Sequence, residues 1–127
     1  MNMDLKRIEW NESYEHKDNV LFYPHEEIIR FVSKNIRKRI EFNKFFDIRP
    51  DFKKALDLGC GMGRHVFYLD EMGFEAFGID LATVAIKKAK EISKLIGKTD
   101  LANNFTVGDI TDMTYDSDMF DFVVSHG

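Results

Sequence analysis

The chain has 127 residues, 44% apolar and 31% charged, with a formal net charge of −4. That length fits one domain with one core, the composition excludes a disordered chain, and the mild negative charge argues against a general nucleic-acid or membrane-surface binder. A single cysteine, Cys60, excludes an intramolecular disulfide, and no apolar run exceeds four residues, so a soluble, cytoplasmic protein without signal peptide or membrane span is expected.

Residues 4–18 carry Leu5, Ile8, Trp10 and Tyr14 at roughly helical spacing and read as a short helix. An apolar connector over 19–24 leads to Pro24, which suits the first turn of a helix, with Glu26 and Glu27 complementing the helix dipole. Ile28, Ile29, Phe31, Val32, Ile36 and Ile40 fall on one helical face, which predicts a helix running to about Phe46. The basic run from Lys34 to Arg39 is read as the solvated face of that helix. Residues 47–51, DIRPD, break it around Pro50.

A different pattern follows: strand, glycines, helix, repeated. Strands are predicted over 54–58, 75–79, 105–107 and 120–124. Helices are predicted over 63–72, with Val66, Phe67 and Leu69 inward, and over 82–96, with Val84, Ala85, Ile92, Leu95 and Ile96 inward. The alternation implies an α/β fold: a Rossmann-like parallel sheet with helices on both faces, truncated after its fourth strand and preceded by a helical N-terminal cap. Residues 1–50 are the cap and 51–127 the incomplete core, together one structural domain. A fourth parallel strand with nothing after it is an open apolar edge. Either another copy covers it, giving a homodimer, or the chain is a fragment of a longer protein, which is the favoured expectation.

The segment 56–64, LDLGCGMGR, places three glycines between the first core strand and its helix. In an open parallel sheet, ligands bind at that end of the strands. Glycine lets ligand atoms approach the main chain, and the helix start beyond it suits a carboxylate or phosphate. Asp80 ends the second strand, where a carboxylate can accept from both hydroxyls of a ribose or cap the next helix. Asp109 follows the third strand, beside the place of an adenine edge, or serves as a turn residue. A dinucleotide fingerprint needs G-x-G-x-x-G, but Arg64 stands where its third glycine belongs. Asp57 is also unfavourable beside a pyrophosphate and suits the ammonium of a methionine moiety. The ligand fitting these features is S-adenosyl-L-methionine (SAM).

LDLGCGMGR, then GIDL, VGDI and FDFVVS, resemble motifs I to IV of class I SAM-dependent methyltransferases in order and spacing. YPHEEIIRFV is similar to the N-terminal cap of many small-molecule methyltransferases of that class. The resemblance implies that Asp57, Gly59, Gly61 and Gly63 surround the methionine end of SAM. Cys60 lies in the same loop as a small side chain that fits there, not as a nucleophile. Asp80 then holds the ribose hydroxyls, Leu81 packs on the adenine, and Asp109 and Ile110 meet the adenine edge. Ser125 approaches the methionine part or the transferring methyl, and Tyr14 and Tyr23 close the pocket from the cap. The family's sheet has seven strands in the order 3-2-1-4-5-7-6, of which this chain offers the first four.

The function so implied is the SAM-binding portion of a methyltransferase, delivering methyl to a small-molecule acceptor and releasing S-adenosyl-L-homocysteine (SAH). The alternative is a non-catalytic truncated SAM-binding module that self-associates through its edge strand. No catalytic residue is fixed. His126 is a weak candidate, since an imidazole near the methyl can take a proton from an oxygen or nitrogen nucleophile. His16, His25 and His65 show no metal-ligand spacing with Cys60 or one another, so no metal is expected.

Overall fold

The computed structural model describes residues 23–111, 115 and 118–126. The helix expected over 4–18, with Trp10, Tyr14 and His16, lies outside the described residues. Helix α1 (Glu26–Asn35) follows Pro24 and is capped by His25, whose Nδ1 accepts the Glu27 N–H at 3.1 Å. Glu26 pairs with Arg30 one turn on, and Ile28 and Val32 enter the core.

The helix expected to reach Phe46 stops ten residues into its run, at Asn35. An antiparallel hairpin follows, β1 (Arg37–Glu41) and β2 (Lys44–Asp47). Ile36 is buried as the helical period requires, but its carbonyl accepts from Ile48 and Arg49 N–H, both at 3.0 Å. That closes the hairpin's base against the helix end. Ile40, expected on the buried face, is exposed. The basic run therefore bridges two elements. Arg37 tucks inward, donating from Nη1 to the Met72 carbonyl at 2.8 Å, with its guanidinium 4.3 Å from the Phe74 ring centroid.

The remaining elements form the α/β core. They are β3 (Lys54–Leu58), α2 (Arg64–Glu71), β4 (Glu75–Asp80), α3 (Thr83–Leu95), α4 (Thr99–Ala102), β5 (Phe105–Val107) and β6 (Phe122–Ser125). The last strand begins two residues later than expected. Asp121 fixes its start by accepting the Lys53 and Lys54 N–H groups at 2.6 and 2.8 Å, while Phe120 packs against Phe77 instead. The four strands are parallel, in the order β5-β4-β3-β6, and the sheet is flanked by helices. Strand order thus reverses at β3, which has β4 on one side and β6 on the other.

One apolar cluster joins Ile28, Val32 and Ile36 of the N-terminal part to Val66, Leu69, Phe74, Ala89 and Phe105. The buried face of α3 is Ala85, Ile86, Ala89 and Ser93; Leu95 and Ile96, expected inward, are exposed, Leu95 by 86%. They lie in the last turn, where Gly97 at φ +79° turns the chain back so that Lys98 N–H reaches the Ser93 carbonyl. Among the described residues no helix is long and apolar enough to cross a membrane.

Candidate SAM-binding site

Register places Asp57 opposite Gly78 on β4 and Val124 on β6, at the centre of the sheet where strand order reverses. Its carboxylate is 1% exposed, and neither oxygen has a hydrogen-bond partner. His65 comes near, with Nδ1 3.7 Å from Asp57 Oδ2, an ion-pair approach longer than a hydrogen bond. Burial pushes the Asp57 pKa up; His65 and Arg64 oppose that rise, and Asp80 adds to it. A buried carboxylate without donors is costly unless something supplies them. It is therefore suited to a cationic hydrogen-bond donor such as an ammonium group.

The loop after β3 is shaped by its glycines. Gly59, Gly61 and Gly63 have φ of +72°, +55° and +99°, where side chains are strained. At Gly63 a Cβ would also lie 2.8 Å from the Phe105 ring, while at Gly59 it would meet nothing within 4 Å. One glycine is thus fixed by packing and another borders open space. Gly59 and Cys60 N–H both donate to the Ile79 carbonyl, at 2.9 and 3.0 Å, which ties the loop to β4. Cys60 is buried, its thiol pushed well above its usual pKa by burial and by Asp57 and Asp80. Helix α2 begins just after Gly63, which stands at its N-cap and supplies no side-chain cap.

Asp80 performs a task that only its alternative reading anticipated in part. Its Oδ1 accepts the Ala82 N–H and its Oδ2 the Gly61 N–H, both at 2.8 Å. It thus holds the glycine loop and the start of α3 together. Each carboxylate oxygen can accept more than one hydrogen bond, so these contacts leave capacity for hydroxyl donors. Leu81 is half-buried beside it. Asp109 Oδ1 accepts from Thr111 N–H and Oγ1 at 2.8 and 2.7 Å, the turn chemistry considered for it, and Ile110 is exposed. Gly108, immediately before them, donates its N–H to the Asp80 carbonyl at 3.0 Å. Ser125 pairs with Leu58 in the sheet, its hydroxyl 3.4 Å from the Leu58 carbonyl, which sets it beside the loop. The Tyr23 ring is exposed, although its carbonyl accepts from Arg64 at 3.5 Å.

A histidine cluster beside the loop was invisible in the sequence. The His126 ring lies 3.8 Å from His25 and 5.9 Å from His65, centroid to centroid. Burial, then the neighbouring His25, Arg64 and His65, hold its pKa below the usual imidazole value. Ligand-type atoms of His25, Glu27 and His126 fall within 4.8 Å of one another. Because His25 Nδ1 accepts the Glu27 N–H, a neutral ring carries its proton on Nε2 and offers a cation no lone pair while the cap is intact. Gly78 was also missed. A Cβ there would meet Cys60 Sγ at 2.7 Å and Val66 at 2.8 Å, so the loop's inward packing needs a glycine in mid-strand, and the interruption in EAFGID was its signal.

A parallel sheet reversing at β3, a glycine loop at that point and an acid closing the next strand make a Rossmann-like fold, and the similarities that follow set it among the class I SAM-dependent methyltransferases. Residues 51–127 match the family described as Methyltransferase domain, and the chain belongs to that family, whose cofactor is SAM. It is similar to phosphoethanolamine N-methyltransferase 1 of Zea mays, with 41% identity over 67% of this chain and 16% of the maize protein. It is also similar to a Mus musculus mitochondrial protein named arginine-hydroxylase NDUFAF5, with 32% identity over 96% of this chain and 32% of the mouse protein. A TehB-like SAM-dependent methyltransferase from Corynebacterium glutamicum superposes with a TM-score of 0.54 at 25% identity, covering 98% of this chain and 54% of that one. The chain thus spans well under half the length of either curated relative.

Proposed function

We propose that this chain is the SAM-binding portion of a cytoplasmic methyltransferase acting on a small molecule, with residues 1–50 as its cap and 51–127 as its core. The observation that carries the reading is Asp57, a buried carboxylate without donors beside a glycine loop. Phosphoethanolamine in the name of the maize relative supports the choice of acceptor class. When bound, SAM supplies a methyl already activated by its sulfonium. Asp57 takes the ammonium, the Gly59–Gly63 backbone closes on the methionine end with Cys60 packed beneath, and Asp80 takes the ribose hydroxyls. Leu81, Asp109 and Ile110 border the adenine, and Ser125 the methionine part.

Positioning of the acceptor does most of the work in such a transfer. His126, neutral at physiological pH, accepts the proton of an acceptor that must lose one. No metal takes part, which accords with the His25 ring offering no lone pair. Calorimetric titration with SAM, SAH and NADH tests the reading. SAM and SAH bind, NADH does not, and EDTA leaves the affinities unchanged. Folded protein that takes up neither SAM nor SAH at millimolar concentration sinks it. Because the mouse relative is named for hydroxylation, methyl transfer itself needs detection of a methylated product.

A second reading, a non-catalytic module that self-associates, is favoured by β6. It forms a margin of the sheet with Val123 47% exposed.

A further inference from the structure

His65 is the second residue of α2 and is 4% exposed. A buried imidazole needs partners for both nitrogens. Its Nε2 accepts the main-chain N–H of His25 at 3.0 Å. A nitrogen that accepts from an amide carries no proton, so the neutral ring holds its proton on Nδ1. That nitrogen lies 3.7 Å from Asp57 Oδ2, on the carboxylate that lacks any hydrogen-bond partner, within ion-pair reach though longer than a hydrogen bond. The chain of contacts runs from the cap of α1, through one ring, to the acid at the centre of the sheet.

We propose that His65 is a positioning residue: it couples docking of the α1 cap to the orientation of Asp57, and so to affinity for the amino-acid end of the cofactor. The proposal rests on the SAM-site reading. With His25 in place, the tautomer is fixed and Asp57 sees a proton donor. With His25 withdrawn, the ring is free to carry its proton on Nε2 and to turn a lone pair toward the carboxylate, which repels it. Two features far apart in the chain thereby act as one. The charged and titratable neighbours that share this environment are Arg64 and Asp80 around Asp57, and the His126 imidazole, edge-on to His65.

The experiment compares SAH with 5′-methylthioadenosine, which keeps the adenosine and thioether but lacks the ammonium and carboxylate. Both are titrated into wild type, His65→Leu and His65→Asn. Leucine removes the relay, whereas asparagine can accept from His25 with its carbonyl and donate toward Asp57 with its amide. The expected result is a loss of roughly tenfold in SAH affinity for His65→Leu, little change for methylthioadenosine, and recovery in His65→Asn. Equal losses for both ligands, or SAH affinity unchanged in His65→Leu, overturns the proposal while leaving the SAM site intact. Wild type that binds neither ligand overturns the SAM site itself. Imidazole ¹⁵N spectra of wild type decide the matter even if the variants fail to fold. An unprotonated Nε2 supports the relay, and an Nε2–H tautomer overturns it.

Discussion

Burial of Asp57 opposes folding of the free protein, because the group is held where water cannot reach it and its pKa rises. The sign of the pH effect follows. Over the interval between the unfolded value of 3.8 and the raised folded value, the folded state keeps a proton that the unfolded chain has lost. Stability is therefore lost as pH rises through that interval, and the penalty is fully present above it. Asp57→Asn keeps the shape and removes the charge. In thermal denaturation from pH 4 to 8 it is expected to melt above wild type at neutral pH, with the advantage shrinking as the acid limit is approached. Its affinity for SAH falls at the same time, by roughly tenfold or more. A variant that melts lower than wild type at pH 7 would contradict the assignment of Asp57 as a destabilising ligand acid. The acid before the glycines was legible as a ligand group; its isolation was not, because that depends on Gly78 and Val124 flanking it in the folded sheet.

Among the elements, the hairpin is where sequence and structure part. Ile36 and Ile40 are four apart and satisfy a helical period, yet residues 37–41 and 44–47 pair equally well as strands. The connecting Phe42-Asn43 lacks the glycine that marks a two-residue turn, so nothing local announced it. The deciding contact is tertiary. Arg37 donates to the Met72 carbonyl, pairs with Asp47 at 2.6 Å and covers the Phe74 ring. Half-exposed Asp47 adds little; the buried carbonyl and the ring contribute more. Arg37→Ala is expected to lower stability by about 1–3 kcal/mol, read from the urea midpoint. Arg37→Lys recovers little of it, because an ammonium cannot span the carbonyl, the carboxylate and the ring together. Full recovery by lysine would reduce the contact to a point charge. Along α3 the error has another cause. The apolar repeat continues to Leu95 and Ile96, which the fold leaves exposed, while Ser93, a polar residue, is buried with its hydroxyl donated to the Ala89 carbonyl.

For the whole molecule, strand–helix alternation and right-handed crossovers made a parallel sheet readable and left few arrangements, and the order observed among them is the one the methyltransferase resemblance implied. The glycine loop then located the ligand end. The histidine cluster was not readable, since His25 and His126 meet only when the cap of α1 folds back beside β6. The exposed side of β6 gives the self-association reading its own prediction. If edges pair, light scattering shows a mass above monomer that grows with concentration, and Val123→Lys restores the monomer. Monomer at every concentration removes that reading and leaves the SAM-site reading untouched.

Gly78 has one more effect. The space its missing side chain vacates is filled by the sulfur of Cys60, which is sealed under the loop and kept protonated. A thiol in that state does not react with external reagents until the loop lifts. The protein therefore carries its own stopwatch. The rate at which Cys60 is modified under native conditions measures how often the cradle opens, and a ligand that grips the cradle slows that rate.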